Sequence, residues 1–330
     1  MENYLYGSAR IRTLENNLVG RDRLDRMLAV GDPARCVDLL AEAGISVEKD
    51  PESGKFLREE TLLGRLRDAY REVCAVTENA GFAMIWRYPY DCNNIKAVIK
   101  CAYRGVDPAE MLFDFGTIPV EQIVEAQRIH DYSALPEPFA SAAMEAEKTF
   151  SKNGNPQYVD LILDRVCYRA MLEKAEQGKN AFVISLVKQK IDLTNLLICI
   201  RLLRMKSGEA GKILLRNALL SGGNLNEETL IGYYDGGEAY LWDRLLYTDY
   251  EKFASEGSVD SSLTVVERAA DDFWMESVKK AKMIPYGEET LVAYLIAAEY
   301  EVRNLRIVLA GIEAGIPAGV VGERIRKSYV

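Results

Sequence analysis

A chain of 330 residues is longer than the size at which a single hydrophobic core keeps growing, and 48% hydrophobic residues supply material for more than one. Against 41 basic residues stand 50 acidic ones, for a net charge of −9, and no Lys/Arg-rich stretch carries interleaved aromatics, so the attraction on which nucleic-acid binding rests is missing and proteins are the expected partners. The cysteines Cys36, Cys74, Cys92, Cys101, Cys167 and Cys199 lack CxxC spacing and read as small core residues in a reducing compartment.

Along the chain, the opening Met1–Arg10 has an early acid and no apolar run, unlike a secretory signal. The segment Val47–Lys55 is the most loop-like and is expected to be mobile. Helical windows follow at Glu60–Asn79, Tyr158–Gln177 and Leu263–Met283, each with apolar residues at helical period and charges on the opposite face. Three further stripes are Ile95/Val98/Ile99, Leu196/Cys199/Ile200 and Leu305/Val308/Leu309. The longest apolar runs, 196–200 and 291–298, fall short of the roughly 20 residues a bilayer requires. Proline and paired glycine lie between the helical windows and strand alternation is scarce, so the fold class is all-α.

The stripes belong to a repeat. Three times an acidic residue stands three positions before an asparagine followed by an aliphatic residue: Asp91/Asn94, Asp192/Asn195 and Glu301/Asn304. An aliphatic pair five apart recurs at Val19/Leu24, Ile118/Ile123 and Leu225/Leu230, and its first member precedes the next asparagine by 75, 77 and 79 residues. An aromatic residue (Tyr70, Tyr168, Phe273) stands 24, 27 and 31 positions before each asparagine. One helical unit of roughly 100 residues, used three times, accounts for all of this. Turns at Phe115–Pro119 and Ser221–Asn224 set the expected domains at 1–116, 117–223 and 224–330, the last with a terminal helix. A fourth aliphatic pair, Ile316/Val321, reads as an opening with no body, packing where a next unit would have docked.

Chemical motifs are incomplete. Gly54-Lys55, Gly178-Lys179 and Gly211-Lys212 lack the following hydroxyl that a phosphate loop uses on magnesium. Asp114-Phe115-Gly116 has no His-Arg-Asp loop before it and reads as a turn. The lone His130 has no obvious partner in the sequence for acid-base work and reads as a structural or surface residue. Asp271-Asp272 stands before Met275, where a magnesium-diphosphate motif needs a carboxylate, and Asp271 is placed on an exposed face. Catalytic residues, cofactor and metal are therefore all expected to be absent.

The acid-x-x-Asn pair suits a structural device. Positions i and i+3 share a helix face, an amide flanked by aliphatic residues is at least half buried, and a buried amide must find partners, most simply a neighbouring loop backbone. A catalytic group is needed once per site, whereas this pair recurs once per repeat. Nearby Lys96, Lys100, Arg303 and Arg306 are candidates for a surface facing an acidic partner.

These residues resemble the C subunit of the A-type and V-type ATPases of archaea and bacteria, the counterpart of the d subunit of the eukaryotic vacuolar ATPase. The likeness runs through Tyr4–Glu15, Asp91–Lys96, Arg104-Gly105, Gly116-Thr-Ile, Asp192-x-x-Asn195-Leu196, Glu299–Ile307 and Gly315-Ile-Pro317. Leu197 departs from it, standing where the other units carry Lys96 and Arg306. The resemblance implies three similar helical domains about a pseudo-threefold axis, forming a funnel with a central cavity. It implies a non-catalytic socket, one copy per complex, between the central stalk and the membrane rotor ring, peripheral on the cytoplasmic face. The competing expectations are a helical-repeat scaffold for another cytosolic protein, against which the repeat length argues, and an all-α enzyme, which the missing carboxylates disfavour.

Overall fold

The computed structural model describes residues 4–78 and 80–330, and among these the chain is all-α, with sixteen α-helices, three 3₁₀ segments and a single isolated antiparallel bridge between Lys49 and Phe56. By contacts it divides into two compact units, residues 81–241 and the residues before 81 together with 242–330.

The discontinuous unit begins with α1 (Leu5–Glu15), α2 (Arg21–Val30), α3 (Pro33–Glu42) and α4 (Arg58–Ala75). Helix α2 stops at Gly31, whose left-handed φ of 62° is open to glycine at no steric cost. The Asp32 carboxylate then caps α3 by accepting from Ala34 N, with Pro33 at the first helical position, where no N–H is needed. Between α3 and α4 the loop-like segment is a tight turn. Asp50 Oδ1 accepts from Ser53 N at 2.7 Å, and Glu48 O accepts from Leu57 N at 2.9 Å.

The continuous unit holds α5 (Tyr88–Arg104), α6 (Val120–Arg128), α7 (Phe139–Asn153), α8 (Gln157–Gly178), α9 (Ala181–Arg204), α10 (Gly208–Ala218) and α11 (Glu227–Gly236). Its centre is α8, which packs on α5, α7 and α9. Lys100 pairs with Asp160 and Lys96 with Asp164, so numbers rise along α5 as they fall along α8, and the two helices are antiparallel. Helix α8 turns into α9 through Lys179 at φ 57° and Asn180, whose side chain accepts from Phe182 N and Val183 N. Helix α12 (Glu238–Leu245) carries the chain from this unit back to the other.

There follow α13 (Glu251–Glu256), α14 (Leu263–Lys279), α15 (Glu288–Glu313) and α16 (Ala318–Gly322). Every residue of α15 from Thr290 to Ala298 is buried. A helix apolar on all sides must be covered on all sides. Helices α1, α2, α3, α4 and α14 do that, with α4 antiparallel to α15 through Arg58–Glu313, Arg306–Glu59 and Arg65–Glu301.

Two expectations need correction. Cys74 is exposed, while the other five cysteines are buried. Asp271, placed on an exposed face by the pattern of α14, is instead turned toward α15 and the residues after α16. Its carboxylate accepts from the Tyr300 hydroxyl at 3.0 Å and pairs with Arg303 and Arg326, leaving the side chain 13% exposed. A charged residue among charged neighbours reads as solvated in sequence, yet here its partners come from α15 and from Arg326, far along the chain.

Candidate functional site: three helix-to-loop clamps

The repeated pairs lie on α5, α9 and α15. Asp91, Asn94, Asp192, Asn195, Glu301 and Asn304 are all buried, the least so Glu301 at 4% exposure. Each helix places its acid and its asparagine one turn apart on one face, and the apolar residues beside them bury that face.

Asn94 grips the backbone of Phe113 from both sides, donating from Nδ2 to the carbonyl at 2.9 Å and accepting at Oδ1 from the N–H at 3.0 Å. Asn195 does the same to Leu220, with both bonds 2.9 Å, and Asn304 to Arg326, again with both 2.9 Å. A primary amide offers a donor and an acceptor side by side, as a peptide unit does, which is why this residue type can pair with loop backbone that no strand covers.

The acids hold a second point. Asp91 accepts from Ile118 N at 2.9 Å and from the Thr117 hydroxyl at 2.7 Å. Asp192 accepts from Leu225 N at 3.0 Å and from Asn224 through its backbone at 2.8 Å and its side chain at 3.0 Å. In both clamps the residue held by the asparagine and the residue held by the acid are five apart in sequence, 113 and 118, then 220 and 225.

The third clamp draws its second point from elsewhere. Glu301 Oε1 accepts from Val19 N at 2.6 Å, and Oε2 accepts from Arg65 Nε at 2.7 Å. Val19 is the residue that counts as equivalent to Ile118 and Leu225 by its distance to the next asparagine. The fourth aliphatic pair plays no part in the clamp, although its second member, Val321, is buried near Gly311 of α15.

Charge is handled differently in the first clamp and the third. Burial pushes the Asp91 carboxyl up from the ordinary aspartate value, against the hydrogen bonds from Thr117 and Ile118, which pull it down. At the third clamp burial works against the Arg65 cation, yet the Glu301 carboxylate beside it holds the guanidinium above its ordinary value. With side chains 11% and 2% exposed, Arg65 and Glu301 form a buried ion pair.

Some clamp residues carry no obvious sequence signal. Gly116 and Gly223 stand two positions before Ile118 and Leu225, and a Cβ on either would lie 2.0 Å from the carboxylate oxygen of Asp91 or Asp192. At the corresponding position before Val19 the residue is Asn17, where the acid is the longer glutamate. Comparing the three turns two residues ahead of each aliphatic anchor would have exposed this covariation. Arg65 had no such signal.

Of the candidate partner-binding cations, none is without an acid. Lys96 pairs with Asp164, Lys100 with Asp160, Arg303 with Asp271 and Arg306 with Glu59. Lys96 and Lys100 lie on α5 of the continuous unit, Arg303 and Arg306 on α15 of the discontinuous one. His130 is exposed, at φ 54°, with Nδ1 2.9 Å from Glu147 Oε1. Asp114-Phe115-Gly116 is the turn between the two clamp points of α5, where Arg87 donates to Phe115 O and Gly116 O. Among the described residues no cluster of His, Cys, Asp and Glu is placed to hold a metal ion, and no helix is long and apolar enough to cross a membrane.

What this arrangement does chemically is fix loops to helices, at three sites repeated along the whole chain. The sequence profile of the ATP synthase (C/AC39) subunit family matches residues 8–324 and so takes in all three acid-asparagine pairs. The chain belongs to that family. Among its relatives is the C subunit of the V-type sodium ATPase of Enterococcus hirae, 24% identical over 251 residues that cover 74% of this chain and 75% of the relative. The C subunit of the A-type ATP synthase of Methanocaldococcus jannaschii is 23% identical over 93% of this chain and 82% of its own length. That of Thermococcus kodakarensis is 23% identical over 97% and 89%. As a family member the chain is a C subunit of an A/V-type ATPase.

Proposed function

We propose that this chain is the non-catalytic coupling part of its ATPase, a socket that joins the central rotor stalk to the membrane rotor ring. The observation that carries the reading is the family match over residues 8–324, supported by a scaffold whose repeated buried residues bind backbone and not substrate. Torque transmission needs loops that do not yield, and buried side-chain locks on loop backbone stiffen them where no sheet can.

In this reading the chain comprises three helical modules, 1–116, 117–223 and 224–330, forming a funnel with a central cavity. Each clamp helix closes on the opening segment of the following module: α5 on Ile118, α9 on Leu225, and α15 on Val19, which returns the cycle to the first. The protein sits as one copy on the cytoplasmic face, peripheral to the bilayer, and carries ATP-linked proton or sodium transport without binding nucleotide itself. Any acidic partner must compete with the internal acids. Arg303 and Arg306, 46% and 39% exposed, are better placed for that than Lys96 at 13%.

The test is ion pumping by reconstituted complexes. Omitting this chain should leave ATP hydrolysis by the detached head and abolish pumping, and adding it back should restore pumping. Pumping that persists without it would sink the socket reading.

A further inference from the structure

We propose that α1, with the residues up to Val19, is a releasable strap across α15, so that the third clamp is the joint at which this fold opens first. The inference concerns the isolated chain and does not depend on the coupling reading.

Three observations carry it. The hydrogen bonds that close the acid side of the first two clamps join residues 27 and 33 apart in sequence, whereas Val19 and Glu301 are 282 apart. Opening either of the first two frees only a short loop that stays attached to the same helix. At the third, a separate segment has to leave.

That segment has three large buried apolar side chains, Ile11 within α1 and Leu18 and Val19 after it, and is otherwise held by polar contacts. Of the α1 residues, Gly7, Ser8, Ile11 and Glu15 are buried, while Leu5 and Tyr6 are 60% and 68% exposed. Its other ties are electrostatic or hydrogen-bonded. Arg10 pairs with Glu72, and the Ser8 hydroxyl accepts from Gly287 N at 3.1 Å. Arg12 Nη2 donates to Ala281 O at 2.6 Å and Ile284 O at 3.0 Å, and its Nη1 pairs with Glu15. By contrast α11, which follows the second clamp, buries Leu230, Ile231, Tyr233 and Tyr234. An element fixed by few apolar contacts and many part-exposed polar ones lies at the low-stability end of a structure, and salt weakens its ion pairs.

The fit of the strap also depends on one close approach. A Cβ on Gly7 would lie 3.0 Å from the Val76 carbonyl oxygen at the end of α4, so a larger residue there requires α1 and α4 to give by a few tenths of an ångström.

The three clamps supply their own controls, because Val19, Ile118 and Leu225 offer equivalent amides. Hydrogen exchange of the full-length chain, corrected for intrinsic rates, should show the Val19 amide exchanging at least about tenfold faster than the other two, with the gap widening between low and high salt. Gly7→Ala and Arg12→Met, which touch α1 and not the clamp itself, should speed exchange at Val19 further and leave Ile118 and Leu225 unchanged. Equal protection at all three amides would overturn the proposal. So would acceleration of all three together in either variant, since that would mean the strap leaves only when the whole fold does.

Discussion

The first two clamps and the third reach the same end by different chemistry. On α5 and α9 a short acid accepts from the loop that follows its own helix, and the loop comes so close that only glycine fits at 116 and 223. On α15 the donor belongs to a distant part of the chain. Glutamate replaces aspartate, Asn17 stands where the glycines stood, and Arg65 of α4 fills the second oxygen that Thr117 or Asn224 fills elsewhere. One more methylene lets the carboxylate stand back from the turn, which relieves the steric demand on the turn but leaves an oxygen that must be satisfied in the core. A cation does so at the cost of burying two charges. The geometry of the clamp is thus kept while its energetics move from neutral donors to an ion pair.

The largest expected effect breaks that ion pair. Arg65→Met leaves Glu301 buried without its cation, and loss of one partner of a buried pair costs about 3–5 kcal/mol. Lys96→Met removes the partner of Asp164, whose side chain is 45% exposed, and should cost less than about 1 kcal/mol. Urea midpoints of the two variants measure the difference. Equal shifts would mean that Glu301 finds water or another donor, and that the third clamp is no more electrostatic than the others.

Next come the asparagines. Asn195→Leu fills the space but strands both the N–H and the carbonyl of Leu220, at about 1–3 kcal/mol for each group left without a partner. Asn94→Leu and Asn304→Leu should behave alike, since each asparagine makes the same two bonds. Should Asn304→Leu prove far milder than the other two, the third clamp would rest on Glu301 alone.

The glycines sharpen the steric side of the comparison. Gly116→Ala and Gly223→Ala push a methyl into a carboxylate oxygen and should cost about 1–3 kcal/mol each. Asn17→Ala, at the corresponding place in the third clamp, already has a Cβ and should cost under about 0.5 kcal/mol. Thermal denaturation of the three variants is enough to read this.

How much of this was legible in sequence follows from which interactions are periodic. The all-α class was, because apolar residues at helical spacing recur through every long window. The clamp residues were too, since an acid and an amide repeated among aliphatic neighbours have few roles besides holding backbone. What sequence did not give was the partner across space. Ile316 and Val321 match the opening pattern as well as Val19 and Leu24 do, and only the packing of α2 on α15 shows which of them the third clamp holds. The partners of Lys96, Lys100, Arg303 and Arg306 lie on α8, α14 and α4, and which face of one helix meets which face of another is set by packing, not by period. Asp271 was misplaced for the same reason.

The smallest effect separates the two chemistries by pH. Burial raises the Asp91 carboxyl above the ordinary aspartate value of 3.8, so its protonated form is the one the folded state favours relative to the unfolded chain. The contribution of this group to stability is therefore fully present below pH 3.8 and is lost as pH rises through its folded value, the reverse of a carboxylate held low by a cation. Asn at this position keeps an oxygen to accept from Ile118 N but cannot ionise. Measured against Asp91→Asn, the parent protein should lose relative stability as pH is raised from just below 3.8 into the range above, and then level off. Were the gap between the parent and Asp91→Asn to stay flat across that window, the hydrogen bonds from Thr117 and Ile118 would offset burial in full, and the first clamp would hold a charge as readily as the third.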